Sequence, residues 1–260
     1  MKRKPKLGQN FLVDPAAAAA VADALGDVSQ QTVVEIGPGA GVITQILAHR
    51  ARRLVAVELD RALASQLRAQ LPAIEIIESD ILTVDLSALR DGSEKLRVVG
   101  NLPYYITSPI LLHLFEHNAA IETAVVMMQR EVADRVAAGP GSSDYGTLSA
   151  TAQLYARVAH VLTLPPSAFM PPPKVRSTVL RLTMGPRFAE LGVQPETLLH
   201  FLRQSFAQKR KMLAKNLRTA GYDAATVVRA LEQSNIATTA RAEEIDLDRM
   251  AALWKRLAQG

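Results

Sequence analysis

Asn101-Leu102-Pro103-Tyr104 places an amide, a backbone kink and an aromatic ring in four consecutive residues, directly after the short run Arg97-Val98-Val99-Gly100. That set can hold a planar amino group such as the one on adenine. The Asn101 side-chain oxygen and the Leu102 carbonyl can accept its two N–H groups, while Tyr104 stacks on the ring. An adenine amine is a poor nucleophile, because its lone pair is delocalised into the ring; hydrogen bonds that favour a pyramidal nitrogen aim that pair at a methyl donor. With a sulfonium as leaving group no strong general base is required, since alignment supplies much of the barrier reduction. Taken alone, the same tetrapeptide also reads as a strand-terminating turn with a buried tyrosine.

Upstream, a β-rich run ends at Glu35-Ile36 and is followed by Gly37, Gly39 and Gly41 and then by a helix-like stretch. Such a loop brings bare backbone close to a ligand. Glu58, in Val57-Glu58-Leu59-Asp60, falls at the end of the next strand, where a carboxylate can accept from both hydroxyls of a ribose. Asp80, in Glu78-Ser79-Asp80, can accept from the exocyclic amine of an adenine. These features select an adenosine-containing cofactor without separating a dinucleotide from S-adenosylmethionine. The spacing Gly-x-Gly-x-Gly departs from the dinucleotide fingerprint Gly-x-Gly-x-x-Gly. Two plainer readings stand beside these: the glycines make a tight turn, and Asp80 caps a helix.

Elements that would position these residues recur along the first two thirds of the chain. Apolar runs at Thr32–Ile36, Leu54–Val57, Ile74–Ile77, Val98–Val99 and Ala124–Met128 alternate with helix-like stretches at Gly41–His49, Arg61–Leu71 and Ser108–Glu116. Strands apolar on both faces imply a mostly parallel, doubly wound α/β sheet covered by helices on two sides. Val158–Leu164 and Ser177–Thr183 flank the proline-rich segment Leu164 to Pro173 and are expected to close one edge as an antiparallel pair. Met127 and Met128 read as core. Only helical periodicity follows Met184-Gly185-Pro186. The expected division is therefore a catalytic domain over 1–185 and a small helical domain over 186–260.

The 260 residues carry a net charge of +5, unevenly spread. Lys2, Arg3, Lys4 and Lys6 form one acid-free cluster; Arg203, Lys209, Arg210, Lys211, Lys215 and Arg218 form another. Without these ten cations the chain would carry about −5, the asymmetry expected if local patches face a polyanion. At 100° per residue Leu202, Phe206, Leu213 and Leu217 share one arc and the cations another, which predicts a single amphipathic helix with a basic face. A solvated helix face is the plainer alternative. The absence of cysteine excludes disulfides, thiolate metal sites and cysteine catalysis, and fits a cytoplasmic protein. No membrane span or apolar signal core is indicated.

Six motifs in order carry a resemblance to a known family: Leu7-Gly8-Gln9-Asn10-Phe11-Leu12, Glu35 to Gly41, Val57-Glu58-Leu59-Asp60, Ser79-Asp80, Asn101-Leu102-Pro103-Tyr104 and Phe169-Met170-Pro171-Pro172-Pro173-Lys174-Val175. The chain resembles the ribosomal RNA adenine N6,N6-dimethyltransferases, in particular the small-subunit (16S) KsgA/RsmA branch, over nearly all of residues 4–183 and into the basic segment beyond. The resemblance implies a Rossmann-like class I methyltransferase fold and S-adenosylmethionine held by Asn10, Leu12, Gly37, Gly39, Glu58, Asp80 and Asn101. It further implies two methyl groups delivered to each of two adjacent adenosines near the 3′ end of small-subunit rRNA. The acceptor residues would be Asn101, Leu102, Pro103, Tyr104 and Phe169, the last sandwiching the base against Tyr104. Without the resemblance, Phe169 reads as a core residue.

The implied partner is rRNA within an immature small ribosomal subunit, gripped through Lys4, Lys6 and the C-terminal cations by a monomeric protein without a metal. A binding module on that subunit, with methylation secondary, is the rival from another class. Another adenine or amide N-methyltransferase is the rival within enzymes. His113-Leu114-Phe115-Glu116-His117 matches an H-x-x-E-H zinc pattern, but no third ligand is recognisable and a packing role for the helix is the expected one.

Overall fold

The structure, a computed structural model, describes residues 10–258; Lys4, Lys6 and the start of the first motif lie outside the described residues. The elements run β1 (Phe11–Leu12), α1 (Pro15–Asp23), β2 (Thr32–Ile36), α2 (Val42–Ala48), β3 (Arg53–Glu58), α3 (Arg61–Gln70), β4 (Glu75–Glu78), β5 (Leu96–Asn101), α4 (Thr107–Glu116), β6 (Ile121–Gln129), α5 (Arg130–Ala137) and α6 (Thr147–Tyr155). Then come β7 (Ala156–Leu164), β8 (Phe169–Met170), β9 (Ser177–Met184), α7 (Phe188–Leu191), α8 (Pro195–Ser205), α9 (Leu213–Thr219), α10 (Ala224–Gln233) and α11 (Leu247–Ala258). The chain divides into two compact units, Met1–Ala133 with Arg157–Met184, and Asp134–Ala156 with Gly185–Gly260. Residues 134–156 thus join the C-terminal helices, whereas a boundary near 185 would leave them with the sheet.

Seven strands of the first unit form one sheet in the order β4-β3-β2-β5-β6-β9-β7. From β4 to β6 neighbours are parallel, and β9 runs antiparallel to β6. Strand order reverses between β2 and β5: β3 and β4 extend one way, β5 and β6 the other. In open α/β sheets the crevice outside the carboxyl ends at such a switch point is where ligands bind. All five residues of β2, Thr-Val-Val-Glu-Ile, are buried, as a strand covered on both faces requires. The helices start on local signals: Asp14 caps α1 by accepting from Ala16 N (2.9 Å) and Ala17 N (3.1 Å), and Asp60 caps α3 through Ala62 N (2.8 Å). Met127 and Met128 are core residues.

A second, two-stranded sheet pairs β1 with β8, Phe11 opposite Met170 and Leu12 opposite Phe169. It anchors the N-terminal segment across the glycine loop, where the Phe11 ring lies so close to Gly39 that an added Cβ would meet it at 2.8 Å. Gly39 also has φ +56°, so a side chain there would be strained as well as crowded. In the second unit the expected single basic helix is two, α8 and α9, with residues 206–212 between them. The cause is Asn216: its buried amide donates to Ser205 O (2.7 Å) and Gln208 O (3.2 Å), taking up carbonyls that a continuing helix would have used. Leu213 N donates to Ala240 O (2.8 Å), tying the start of α9 to the segment between α10 and α11.

Candidate active site

One cleft lies at the carboxyl ends of β2, β3 and β5, on the switch point. Asn10, Leu12, Gly37, Gly39, Glu58, Asp80, Asn101, Leu102, Pro103 and Tyr104 all line it. Gly37, Gly39, Glu58, Asp80 and Asn101 to Tyr104 arrive on ends of the large sheet's strands or the loops after them, as strand–helix alternation in the sequence implies, whereas Asn10 and Leu12 are brought by the pairing of β1 with β8.

The carboxylate half of the cleft is built around Glu58 and Glu35. Glu58 accepts from Gly39 N (3.1 Å) through Oε2 and from Asp60 N (2.9 Å) through Oε1. Each oxygen retains acceptor capacity for a ligand hydroxyl. Burial holds the Glu58 carboxyl above its ordinary pKa, against the pull of those two N–H groups. Glu35, only 2% exposed, is pushed up to about 7 by burial, with the neighbouring Glu58 carboxylate acting in the same direction. Its Oε2 and the Thr44 hydroxyl beside it make no hydrogen bond among the described residues. Asp80 Oδ1 accepts from Leu82 N (3.0 Å), capping a short 3₁₀ turn. A second carboxylate oxygen remains, so capping and ligand binding do not compete for one atom.

The acceptor half is neutral. Asn101 Nδ2 donates to Asn10 O (2.8 Å), which fixes the orientation of the amide and leaves Oδ1 as its acceptor. Leu102 N donates to Met127 O (2.9 Å), extending the ladder one residue past β5. Pro103 O then accepts from Ile106 N (3.1 Å), making a β-turn with Tyr104 and Tyr105 at its centre, and from Thr107 Oγ1 (3.1 Å). The Tyr104 hydroxyl meets Ser177 Oγ at 2.6 Å, and burial raises its pKa. Gly100 brings β5 close to β2: a Cβ there would lie 2.9 Å from Ile36 Cβ.

The cleft suits an adenosine-bearing sulfonium. Gly37 has φ +63° with nothing within 4 Å of an added Cβ, so bare backbone faces open space. Two buried carboxyls supply acceptors and negative charge, and the apolar side chains of Leu59 and Ile81 stand beside Glu58 and Asp80.

A model of the family described as ribosomal RNA adenine dimethylase matches residues 1–259. This chain belongs to the ribosomal RNA adenine dimethylase family. Among dimethylase relatives, the protein named "Ribosomal RNA small subunit methyltransferase A" of Acidobacterium capsulatum is 61% identical over 98% of this chain and 92% of its own. That of Koribacter versatilis is 52% identical over 99% and 95%. The crystal structure of a Plasmodium falciparum dimethyladenosine transferase has the same fold, with TM-score 0.78 and 24% identity over 94% of this chain and 95% of that one. The 23S rRNA methyltransferase ErmE is 28% identical, with TM-score 0.72 over 96% of this chain and 100% of that one.

Phe169 is the exception among the acceptor residues anticipated for this dimethylase. It is 2% exposed, packs in the core with Leu12, Leu164 and Val179, and does not line the cleft. Pairing with β1 turns its ring inward, so in this conformation it is not placed to sandwich a base. In the dimethylase's second unit the expected RNA-binding cations Arg203, Lys209, Arg210, Lys211, Lys215 and Arg218 are all exposed, distributed over α8, the 206–212 segment and α9. Lys209 Nζ donates to the Ser143 carbonyl. His113 and His117 are turned to the backbone: His113 Nε2 meets Val84 O at 3.0 Å, and His117 Nδ1 meets His113 O at 3.0 Å.

Two cleft residues of the dimethylase were not given a role by sequence. Glu35 is the one carboxylate in an otherwise apolar and uncharged strand, a signal of burial. Tyr105 follows Tyr104 but is 60% exposed on the cleft's rim.

Proposed function

We propose that the protein transfers methyl groups from S-adenosylmethionine to N6 of two adjacent adenosines near the 3′ end of small-subunit rRNA. What carries this reading is the meeting of Glu58, Asp80 and Asn101-Leu102-Pro103-Tyr104 in one cleft at the sheet's switch point. The small-subunit assignment is supported by 61% identity to a named small-subunit methyltransferase. Bound S-adenosylmethionine would supply an electrophilic methyl on a good leaving group.

The chain's own residues then do the orienting. Glu58 accepts the ribose hydroxyls, Asp80 the adenine amine of the cofactor, and the segment Asn10 to Leu12 closes over the Gly37–Gly39 loop. Asn101 Oδ1, aimed by the Nδ2 bond to Asn10, and the Leu102 carbonyl accept the two N–H groups of the target amine, leaving its lone pair to face the methyl group. Tyr104 stacks on the target base, its tilt set by Ser177. Alignment of this kind can contribute several kcal/mol. The proton leaves to solvent after transfer, because an N-methylated adeninium is acidic. The first unit serves as the cofactor-binding catalytic domain and the second contributes cations for RNA phosphates. The protein works as a monomer on the immature subunit in the cytoplasm; no helix among the described residues is long and apolar enough to cross a membrane.

The test is to incubate the protein with labelled S-adenosylmethionine and under-methylated small or large subunits, then digest the RNA. Dimethyladenosine from the small subunit alone is expected. Label confined to the large subunit would favour the activity named for the ErmE structure, and binding without label would favour an assembly factor.

A further inference from the structure

All twelve aromatic side chains of the chain lie within the described residues, and eleven are buried or partly buried. Tyr105 alone is exposed, at 60%, and it stands on the rim of the cleft beside the acceptor tetrapeptide. Its backbone is rigidly held. Tyr104 and Tyr105 are the two central residues of the turn closed by Ile106 N to Pro103 O, with Leu102 N tied to Met127 O before it and Thr107 Oγ1 bonded to Pro103 O after it. The two rings therefore have different fates: the first is drawn inward by Ser177, and the second is left in water. An exposed ring on a stiff turn loses little entropy when a flat apolar partner covers it.

We propose that Tyr105 is the stacking platform for the nucleotide next to the target adenosine, an inference that rests on the reading of the cleft as an RNA adenine methyltransferase site. A single-stranded base next to one that has been splayed out loses a stacking neighbour, and an aromatic side chain restores it. Tyr104 is committed to the target, Phe169 is buried and the Phe11 ring lies against Gly39 in the cofactor half, so Tyr105 is the ring on the rim open to a second base. With two adjacent adenosines as substrate, the platform always meets the neighbour on the same side of the target, so for one of the two adenosines that neighbour is the other adenosine and for the second it is the flanking nucleotide. A purine neighbour offers the larger face, so a preference for purine next to the target follows.

The experiment compares wild type with Tyr105→Phe, Tyr105→Leu and Tyr105→Ala on under-methylated small subunits, measuring kcat and KM for RNA and the Kd for S-adenosylmethionine. Wild-type turnover is the control for the functional reading: without it that reading fails, whatever the variants do. Given turnover, Tyr105→Phe should match wild type, while Tyr105→Leu and Tyr105→Ala should raise the RNA KM about tenfold, the scale of one lost base–aromatic stack. Their Kd for S-adenosylmethionine should be unchanged. A short RNA with 2-aminopurine beside the target should show fluorescence quenched by wild type and Tyr105→Phe only. Unchanged RNA KM in both Leu and Ala variants would overturn the platform, as would a defect confined to cofactor binding. Because the side chain is exposed, melting temperatures of all three variants are expected to stay at the wild-type value.

Discussion

The two halves of the cleft are made of different chemistry. Around the glycine loop the functional atoms are carboxylates, two of them almost fully buried and both holding their protons more tightly than a free glutamate. Around Asn101 they are neutral groups, an amide, carbonyls and a phenol, each fixed by a short bond to a neighbour: Asn10 O, Met127 O, Ser177 Oγ. A site that must bind a cation gains from buried acids, where solvent screens little of their attraction for it. A site that must align a neutral amine gains from groups that do not titrate at all. The difference predicts that pH acts through the first half and geometry through the second.

The strongest way to break that contrast is Asn101→Ala. It removes the aimed oxygen and its tether to Asn10 together, so methylation is expected to fall by at least about 10³-fold, in the range set by losing one preorganised acceptor and the alignment it enforces. S-adenosylmethionine binding, read by calorimetry, should be only partly impaired. Normal turnover would remove Asn101 from the acceptor role.

The carboxylate half can be probed without turnover. Glu35 holds its proton to about 7 in the folded protein, against 4.5 for an ordinary glutamate. Between those values the folded state binds a proton that the unfolded chain has released, so Glu35 contributes stability below about pH 4.5 that is lost as pH rises through 7. The full loss is on the order of 3 kcal/mol. Other groups titrate too, so the informative quantity is the difference between Glu35→Gln and wild type. The variant should gain in melting temperature relative to wild type from pH 5 to pH 8, and a pH-independent difference would show that Glu35 is ionised throughout. Next in size is Glu58→Gln, which keeps the shape but loses the charge proposed to accept two ribose hydroxyls; the Kd for S-adenosylmethionine should rise roughly 10- to 100-fold, with RNA binding unchanged.

The contrast between halves also marks what was legible in the sequence. Glu58, Asp80 and Asn101 could be placed because each ends a strand or stands in the loop just after one, and strand ends in an alternating α/β pattern converge. Nothing local announces that Phe169 turns inward; that depends on its pairing with Leu12, far away in sequence. The break between α8 and α9 was hidden for a similar reason. A period of 3.6 runs through both helices, and only the buried amide of Asn216, reaching back to Ser205 O and Gln208 O, shows where the first must stop. Residues 134–156 look like a continuation of the sheet domain until their contacts place them with the C-terminal helices. Burial of Glu35 was readable from Thr-Val-Val-Glu-Ile, and burial is the main cause of its raised pKa; the smaller push from Glu58 depends on a neighbour on another strand.

The second unit offers the mildest test, because it carries fixed charge with neither the buried acids of one half nor the aligned dipoles of the other. Lys209, Arg210 and Lys211 are exposed in the segment between α8 and α9. Replacing Arg210 and Lys211 by Gln should raise the RNA KM several-fold and lessen the dependence of log K on log salt by up to about 2, leaving single-turnover chemistry at saturating RNA unchanged. Adding Lys209→Gln should deepen the KM effect, and also cost some stability, because its ammonium holds the Ser143 carbonyl. Separating the pair from the triple therefore distinguishes a charge effect on RNA from a loosened loop. A defect in S-adenosylmethionine binding with an unchanged salt slope would mean that these cations do not face the RNA.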